Sequence, residues 1–146
     1  MKSFRFRLQR ILSWRGTQLS LAEANVEQLR CGARATDQAI MELLQSGASA
    51  QATVERAMTV SGADLRALEV SRVWAVREEK RLSDRKVKLQ QSIEVQNGCV
   101  ADARRGVKLV ERLKQRQYET WKAEAERELD ELAAESALGQ WRRSNL

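Results

Sequence analysis

Few side chains in this sequence could carry reaction chemistry, and their spacing does not support it. There is no histidine, so the commonest general base and metal ligand is missing. The two cysteines, Cys31 and Cys99, stand far apart with no metal-ligand spacing. They read as small apolar residues in a reducing compartment. No Gly-rich phosphate loop and no Gly-x-Ser-x-Gly elbow occurs. The carboxylates are many but dispersed, with nothing to gather them into a water-excluding pocket. The expectation is a protein that is not an enzyme and uses no cofactor and no metal.

Binding chemistry remains. The net charge is +6 and the isoelectric point about 9.8, which points to an anionic partner or to charge unevenly spread along a helical surface. Residues 1–15 carry Lys2, Arg5, Arg7, Arg10 and Arg15 with no acid. Residues 119–135 carry Glu119, Glu124, Glu126, Glu128, Asp130, Glu131 and Glu135 against Lys122 and Arg127. A second basic run, Arg104, Arg105, Lys108, Arg112, Lys114 and Arg116, could neutralise phosphates. Glu111 interrupts it and no aromatic stacking partner lies within it, so no nucleic-acid partner is expected.

The elements that must position these groups are helices. Proline is absent, and Ala, Glu, Lys, Leu and Arg supply just over half of the chain, the composition of long helices and coiled coils. In the first third, Leu12, Arg15, Leu19, Ala22, Val26, Leu29, Ala33, Thr36, Ile40 and Leu43 follow an alternating three-and-four spacing, with Leu8 one step upstream. That is a coiled-coil seam, broken badly only by Arg15. The pattern fades over 46–60. A second series runs Leu68, Ala75, Leu82, Leu89, Ile93, Gln96, Val100, Ala103, Val107, Val110, Lys114, Gln117, Trp121, with Gly98 and Gly106 inside the helix but off the seam. Between them, Ser61-Gly62-Ala63-Asp64 marks a break, and Ser61 or Asp64 suits the cap of a following helix.

Two long helices joined by a short turn run antiparallel. The fold class expected is therefore all-α: a long two-helix antiparallel coiled-coil hairpin, one domain over 1–146, with helix 1 about 3–59, a turn near 60–64 and helix 2 about 64–143. At a rise of about 1.5 Å per residue, an arm of about 80 residues makes a rod of about 120 Å. The register sets Phe4 opposite Trp121, and lays the basic segment 2–15 along the acidic segment that starts at Glu119. Apolar residues left off both seams, Met41 and Leu44 on one helix and Val70, Val73 and Trp74 on the other, lie toward the turn. They suggest a docking patch, because Trp is a frequent interface anchor. No apolar run approaches the length of a membrane span, and no apolar core of a secretory signal follows the basic N-terminus. Phe4, Phe6, Leu8, Ile11 and Leu12, interleaved with Arg, could lie on anionic lipid, but the seam continues from these residues into the hairpin.

Two stretches of the chain are similar to one family. Phe4-Arg5-Phe6-Arg7-Leu8, followed by Ile11, Leu12 and Arg15, resembles the Phe-x-Phe-x-Leu start of the FliJ family of bacterial flagellar export proteins. Val110-Glu111-Arg112-Leu113-Lys114-Gln115-Arg116-Gln117, then Trp121, Glu124, Arg127, Glu128 and Asp130-Glu131-Leu132-Ala133, resembles that family's C-terminal signature. Leu129 stands where the signature usually has a basic residue or Gln.

The resemblance implies a non-catalytic stalk of the flagellar type III protein export apparatus, similar to the central γ stalk of rotary ATPases. Such a protein inserts the end carrying both termini into the hexameric export ATPase. It also contacts the cytoplasmic domain of the export gate and the chaperones of late substrates. It implies a cytoplasmic location, peripheral at the inner face of the membrane, and a role in flagellum biogenesis and motility. By motif match, Phe4, Phe6, Leu8 and Trp121 would hold the ring-entering end, and Arg7, Gln115, Gln117, Glu124, Arg127 and Glu128 would face the ATPase. The patch of Met41, Leu44, Val70, Val73 and Trp74 would dock on the export gate, a role that no family motif supplies. The alternatives are a generic coiled-coil scaffold, the equivalent stalk of an injectisome, or a nucleic-acid-associated basic rod.

Overall fold

The computed structural model describes residues 3–145. Lys2, counted above in the basic segment, lies outside them, as do Met1 and Leu146. Two helices, α1 (Gln9–Arg56) and α2 (Gly62–Ser144), pack against each other as an all-helical hairpin, and the described residues contain no strand. α2 begins and ends close to its expected bounds. Both series read from the sequence are the covered faces. Every position from Leu12 to Leu43 in the first series is half-buried or buried. So is every position of the second series except Gln117. Among the described residues no side chain is completely buried, because each helix can cover only one stripe of the other. The stretch 46–56 is helical, and Ala50, Ala52 and Val54 in it are half-covered.

The chain forms two compact units, Leu21–Ala101 and Met1–Ser20 with Asp102–Leu146. In the first, Val26, Leu82 and Val100 form the core. Leu89 packs over Gly32, its Cδ2 3.7 Å from where a Cβ would stand. Thr36 is the most buried of the described residues, and its hydroxyl donates to the Gly32 carbonyl at 2.9 Å, which satisfies it. Across the helices, the Lys86 ammonium meets the Asp37 carboxylate at 2.6 Å.

The turn comes earlier than expected, at 57–61, because Gly62 is already helical. Ser61 and Asp64 form a capping box: the Asp64 N–H donates to Ser61 Oγ (3.2 Å), and the Ser61 N–H donates to Asp64 Oδ2 (3.0 Å). Two donors that the first turn would otherwise leave orphaned are thereby satisfied. The bonds from the Ser61 backbone and hydroxyl hold the Asp64 carboxyl below its ordinary pKa. A depressed folded-state value stabilises above the unfolded-state pKa, and the contribution is lost as pH falls through the folded-state value. Ser61→Ala is expected to cost about 1 kcal/mol. In the variant, Asp64 should titrate nearer its ordinary value when followed by carboxyl NMR chemical shifts against pH.

In the second unit, Phe6, Val110 and Ala125 are buried. Here the sequence expectation needs three corrections. First, α1 starts at Gln9, not near residue 3. Residues 3–6 are not helical and residues 7–8 form a turn; Phe4 and Phe6 alternate with Arg5 and Arg7, a period-two pattern rather than a helical one. The first turn of α1 also has no acidic residue to favour an earlier start. Second, Gly106 is part of the interface: a methyl group there would collide with the Arg15 guanidinium, whose Cζ lies 3.5 Å from the Cβ position. The one badly placed seam residue is accommodated by the absence of a side chain opposite it. Third, the basic segment does not lie along the acidic one. Phe4 meets Tyr118 and Trp121, Gln9 meets Lys114, and Arg15 meets Gly106. The segment from Phe4 to Arg15 therefore runs beside 106–121, which holds Lys108, Arg112, Lys114 and Arg116. The acidic segment begins where that cover ends.

These glycines give a paired expectation. Gly98 is exposed with open space around it, so Gly98→Ala should raise stability by about 0.5–1 kcal/mol, the helix-propensity difference. Gly106→Ala gains the same propensity but must displace Arg15, so its net gain is smaller. Urea denaturation of the two variants checks the order.

Candidate functional site

Of the residues matched to the family's motifs, Phe4 and Trp121 meet in the second unit. The Phe4 ring packs edge-on to Tyr118, with centroids 5.4 Å apart and planes at 80°. It also lies 5.9 Å from the Trp121 ring, and Tyr118 and Trp121 are 5.7 Å apart. Such tilted and T-shaped contacts suit the ring quadrupoles. Phe6 is buried, with the Lys114 ammonium 6.0 Å from its centroid. The same ammonium donates to Gln9 Oε1 at 2.9 Å. Leu8 is half-buried, and its carbonyl accepts the Leu12 N–H at 2.9 Å. The Phe6 carbonyl accepts the Gln9 N–H at 3.2 Å, turning the non-helical segment into α1.

Arg7, Gln115, Gln117, Glu124, Arg127 and Glu128 are all exposed. Gln115 is braced by its Nε2 donating to Glu119 Oε1 at 2.9 Å. The sequence reading missed Tyr118. It assigned the inward position to Gln117, which is exposed; Tyr118 is exposed too, but its ring packs on Phe4 and Trp121. An aromatic next to a polar residue at an ambiguous step was the available signal.

α2 continues beyond this cluster, and residues 126–138 are exposed throughout. Glu128, Glu131, Leu132 and Glu135 line a shallow acidic groove there. Alongside Phe4–Arg15, by contrast, both strands contribute cations: Arg5, Arg7 and Arg10 from one, and Lys108, Arg112 and Arg116 from the other, all exposed. This basic belt is denser than either strand alone suggests.

The other five candidates lie in the turn-bearing unit, and Met41, Leu44, Val70, Val73 and Trp74 are all exposed. Val70 and Trp74 border one shallow depression with Ala67 and Ser71. Ala67 and Ser71 also line an open groove of about 450 Å³ against Val54, Ala57 and Val60. Met41 and Leu44 line neither. The apolar surface on α2 thus extends from Trp74 toward the turn, a continuation that the sequence reading did not anticipate. At the turn itself Met58 is wholly exposed.

Both cysteines are exposed and unbridged, so they do not act as apolar filler; Cys31 Sγ accepts a hydrogen bond from Arg34 at 3.2 Å. Among the described residues no helix is long and apolar enough to cross a membrane. Comparison of the chain with known protein families, curated proteins and solved structures finds no match.

Proposed function

We propose that this protein is a non-catalytic stalk of a bacterial type III export apparatus of the flagellar kind, related to the FliJ family. The observation that carries the reading is the aromatic cluster. Phe4 from the first motif and Trp121 from the second, far apart in sequence, share one cluster beside the start of α1. A stalk that enters a ring needs a narrow, paired, charged end rather than a pocket. Exposed Arg7, Gln115, Gln117, Glu124, Arg127 and Glu128 offer polar contacts to the similar subunits of a hexameric ATPase, contacts suited to exchange rather than to permanent docking. In this reading the protein works at the cytoplasmic face of the inner membrane, linking the ATPase to the export gate and to chaperones of late substrates.

The test uses the purified chain. It should raise ATP hydrolysis by the flagellar export ATPase and promote formation of its ring. The basic belt favours one second reading, a rod associated with nucleic acid. A chain that retards DNA at physiological salt and leaves the ATPase unaffected supports that reading and removes the stalk.

The turn-bearing unit would supply the gate contact. Trp74, flanked by Val70 and Val73, is the anchor. Trp74→Ala should weaken binding to the cytoplasmic domain of the gate by about tenfold or more, the scale of an interface hot spot. Helicity should not change. Equal affinity for the variant in calorimetric titration removes this assignment.

A further inference from the structure

Two surfaces of the chain are left without cover, and they differ in shape and in charge. In the Leu21–Ala101 unit the open groove of about 450 Å³ runs between Ala50, Val54 and Ala57 on one side and Ala67, Leu68 and Ser71 on the other. Ala and Ser predominate there, which leaves depth for an entering helix. Ala67 and Ser71 are shared with the depression bordered by Arg66, Val70 and Trp74. Arg66, Val70, Trp74 and Arg77 follow steps of four, four and three and so share one face of α2. That face is an exposed apolar pair between two exposed cations.

The second surface is the stretch 126–138 of α2, exposed throughout beyond buried Ala125. Glu128, Glu131, Leu132 and Glu135 share one face there. It presents an exposed leucine among three carboxylates, with exposed Leu129 one turn before it.

We infer that copies of this chain associate through these unlike faces, the acidic 126–138 stretch of one copy lying in the groove beside the turn of the next. Leu132 supplies the ridge that Val70 and Trp74 receive, and Glu128, Glu131 and Glu135 meet Arg66 and Arg77. This is recognition of a helix in a groove, the apolar contact giving affinity and the charges choosing the partner. The occupant is a second copy because this chain itself carries an uncovered helical stretch with the required leucine and the opposite charge. Both faces belong to α2, a single helix, so the match is made between molecules. The two faces differ, so the contact is heterologous, and growth is open-ended unless a ring closes. The inference does not depend on the stalk reading. Trp74 and Glu128 belong to surfaces which that reading uses, so joined copies would be withheld from both partners.

Sedimentation equilibrium of the full chain tests it. At low ionic strength the mass of the wild type should rise with concentration and pass twice the monomer mass. One variant carries Glu128→Arg, Glu131→Arg and Glu135→Arg; the other carries Arg66→Glu and Arg77→Glu. Each alone should be monomeric, because like charges then oppose at every contact. An equal mixture should associate again, because each acidic or basic face now finds its complement on the other variant. Leu132→Ala, at an exposed position and outside the proposed gate contact, should weaken association by about tenfold or more, the effect of losing a leucine's apolar contact. Arg105→Glu with Arg112→Glu, on another part of α2, should leave association unchanged. Circular dichroism checks that helicity is kept, and where a multiple variant loses it, Leu132→Ala carries the test. A wild type that stays monomeric up to about 1 mM, one that stops at the dimer, or a control that loses association equally overturns the inference. A monomeric wild type whose groove variants lose affinity for an acidic partner helix assigns the groove to that partner and likewise overturns it.

Discussion

Shortening Phe6 to Ala is expected to release the segment before α1 from α2 while both helices remain formed. Phe6 is 8% exposed, with the Lys114 ammonium over its ring. A Phe→Ala change in a core costs about 3–5 kcal/mol. The anchored segment is short and lies at a chain end, so the cost falls on its docking, a local opening rather than global unfolding. Trypsin reports this directly. Arg5 and Arg7 flank the buried ring, and cleavage after them should accelerate by more than tenfold, with far-UV circular dichroism unchanged. Trp121 fluorescence should shift to the red as its cover leaves. Under the stalk reading, stimulation of the ATPase should fall in parallel. Unchanged cleavage would mean that the ring does not hold the segment.

The second large effect is expected at Leu82. Leu82→Ala should destabilise the turn-bearing unit by about 2–3 kcal/mol, the low end for a buried leucine because solvent already reaches the edges of so thin a core. Each layer of a two-helix seam has only its neighbours for support. Loss of amide protection should therefore be greatest near Leu82 and its partners on α1, as native-state hydrogen exchange measures. Val95 is the control. It lies on the same helix but is 71% exposed, and Val95→Ala should change stability by less than about 0.5 kcal/mol. Equal losses at the two sites would contradict the assignment of the seam.

Much of the fold was legible because one physical signal dominates. A three-and-four apolar spacing sustained over many turns fixes which face is covered, and Leu12 through Leu43 follow it without a slip. The pairing of Phe4 with Trp121 followed from the position of the turn alone. Periodicity carries no information where it is absent. The helical stretch from Ser46 to Arg56 has only small residues at its covered positions, so composition could not separate it from a frayed end. At the N-terminus two patterns compete over Arg5 to Leu8, and the alternation of Phe with Arg prevails: the non-helical segment buries Phe6 and packs Phe4 on Tyr118 and Trp121. The roles of Arg15 and Gly106 were hidden for another reason. A guanidinium fits a seam only when its counterpart has no side chain, and that relation exists between helices rather than along one. The charge pairing was misjudged by extending each run past the end of its partner. Arg5, Arg7 and Arg10 lie beside a segment that is itself basic, and a sequence reading of charge is only as good as its register.

The reversal between the helices has a practical consequence. No residue in it adopts a positive φ, so its backbone makes no demand for glycine, and Met58 at its crest makes no covering contact. Extra residues inserted after Met58 need only close a longer loop, at about 0.6 kcal/mol for each doubling of its length. A peptide epitope or a dye attached there can mark the turn of the Leu21–Ala101 unit without disturbing its covered seam.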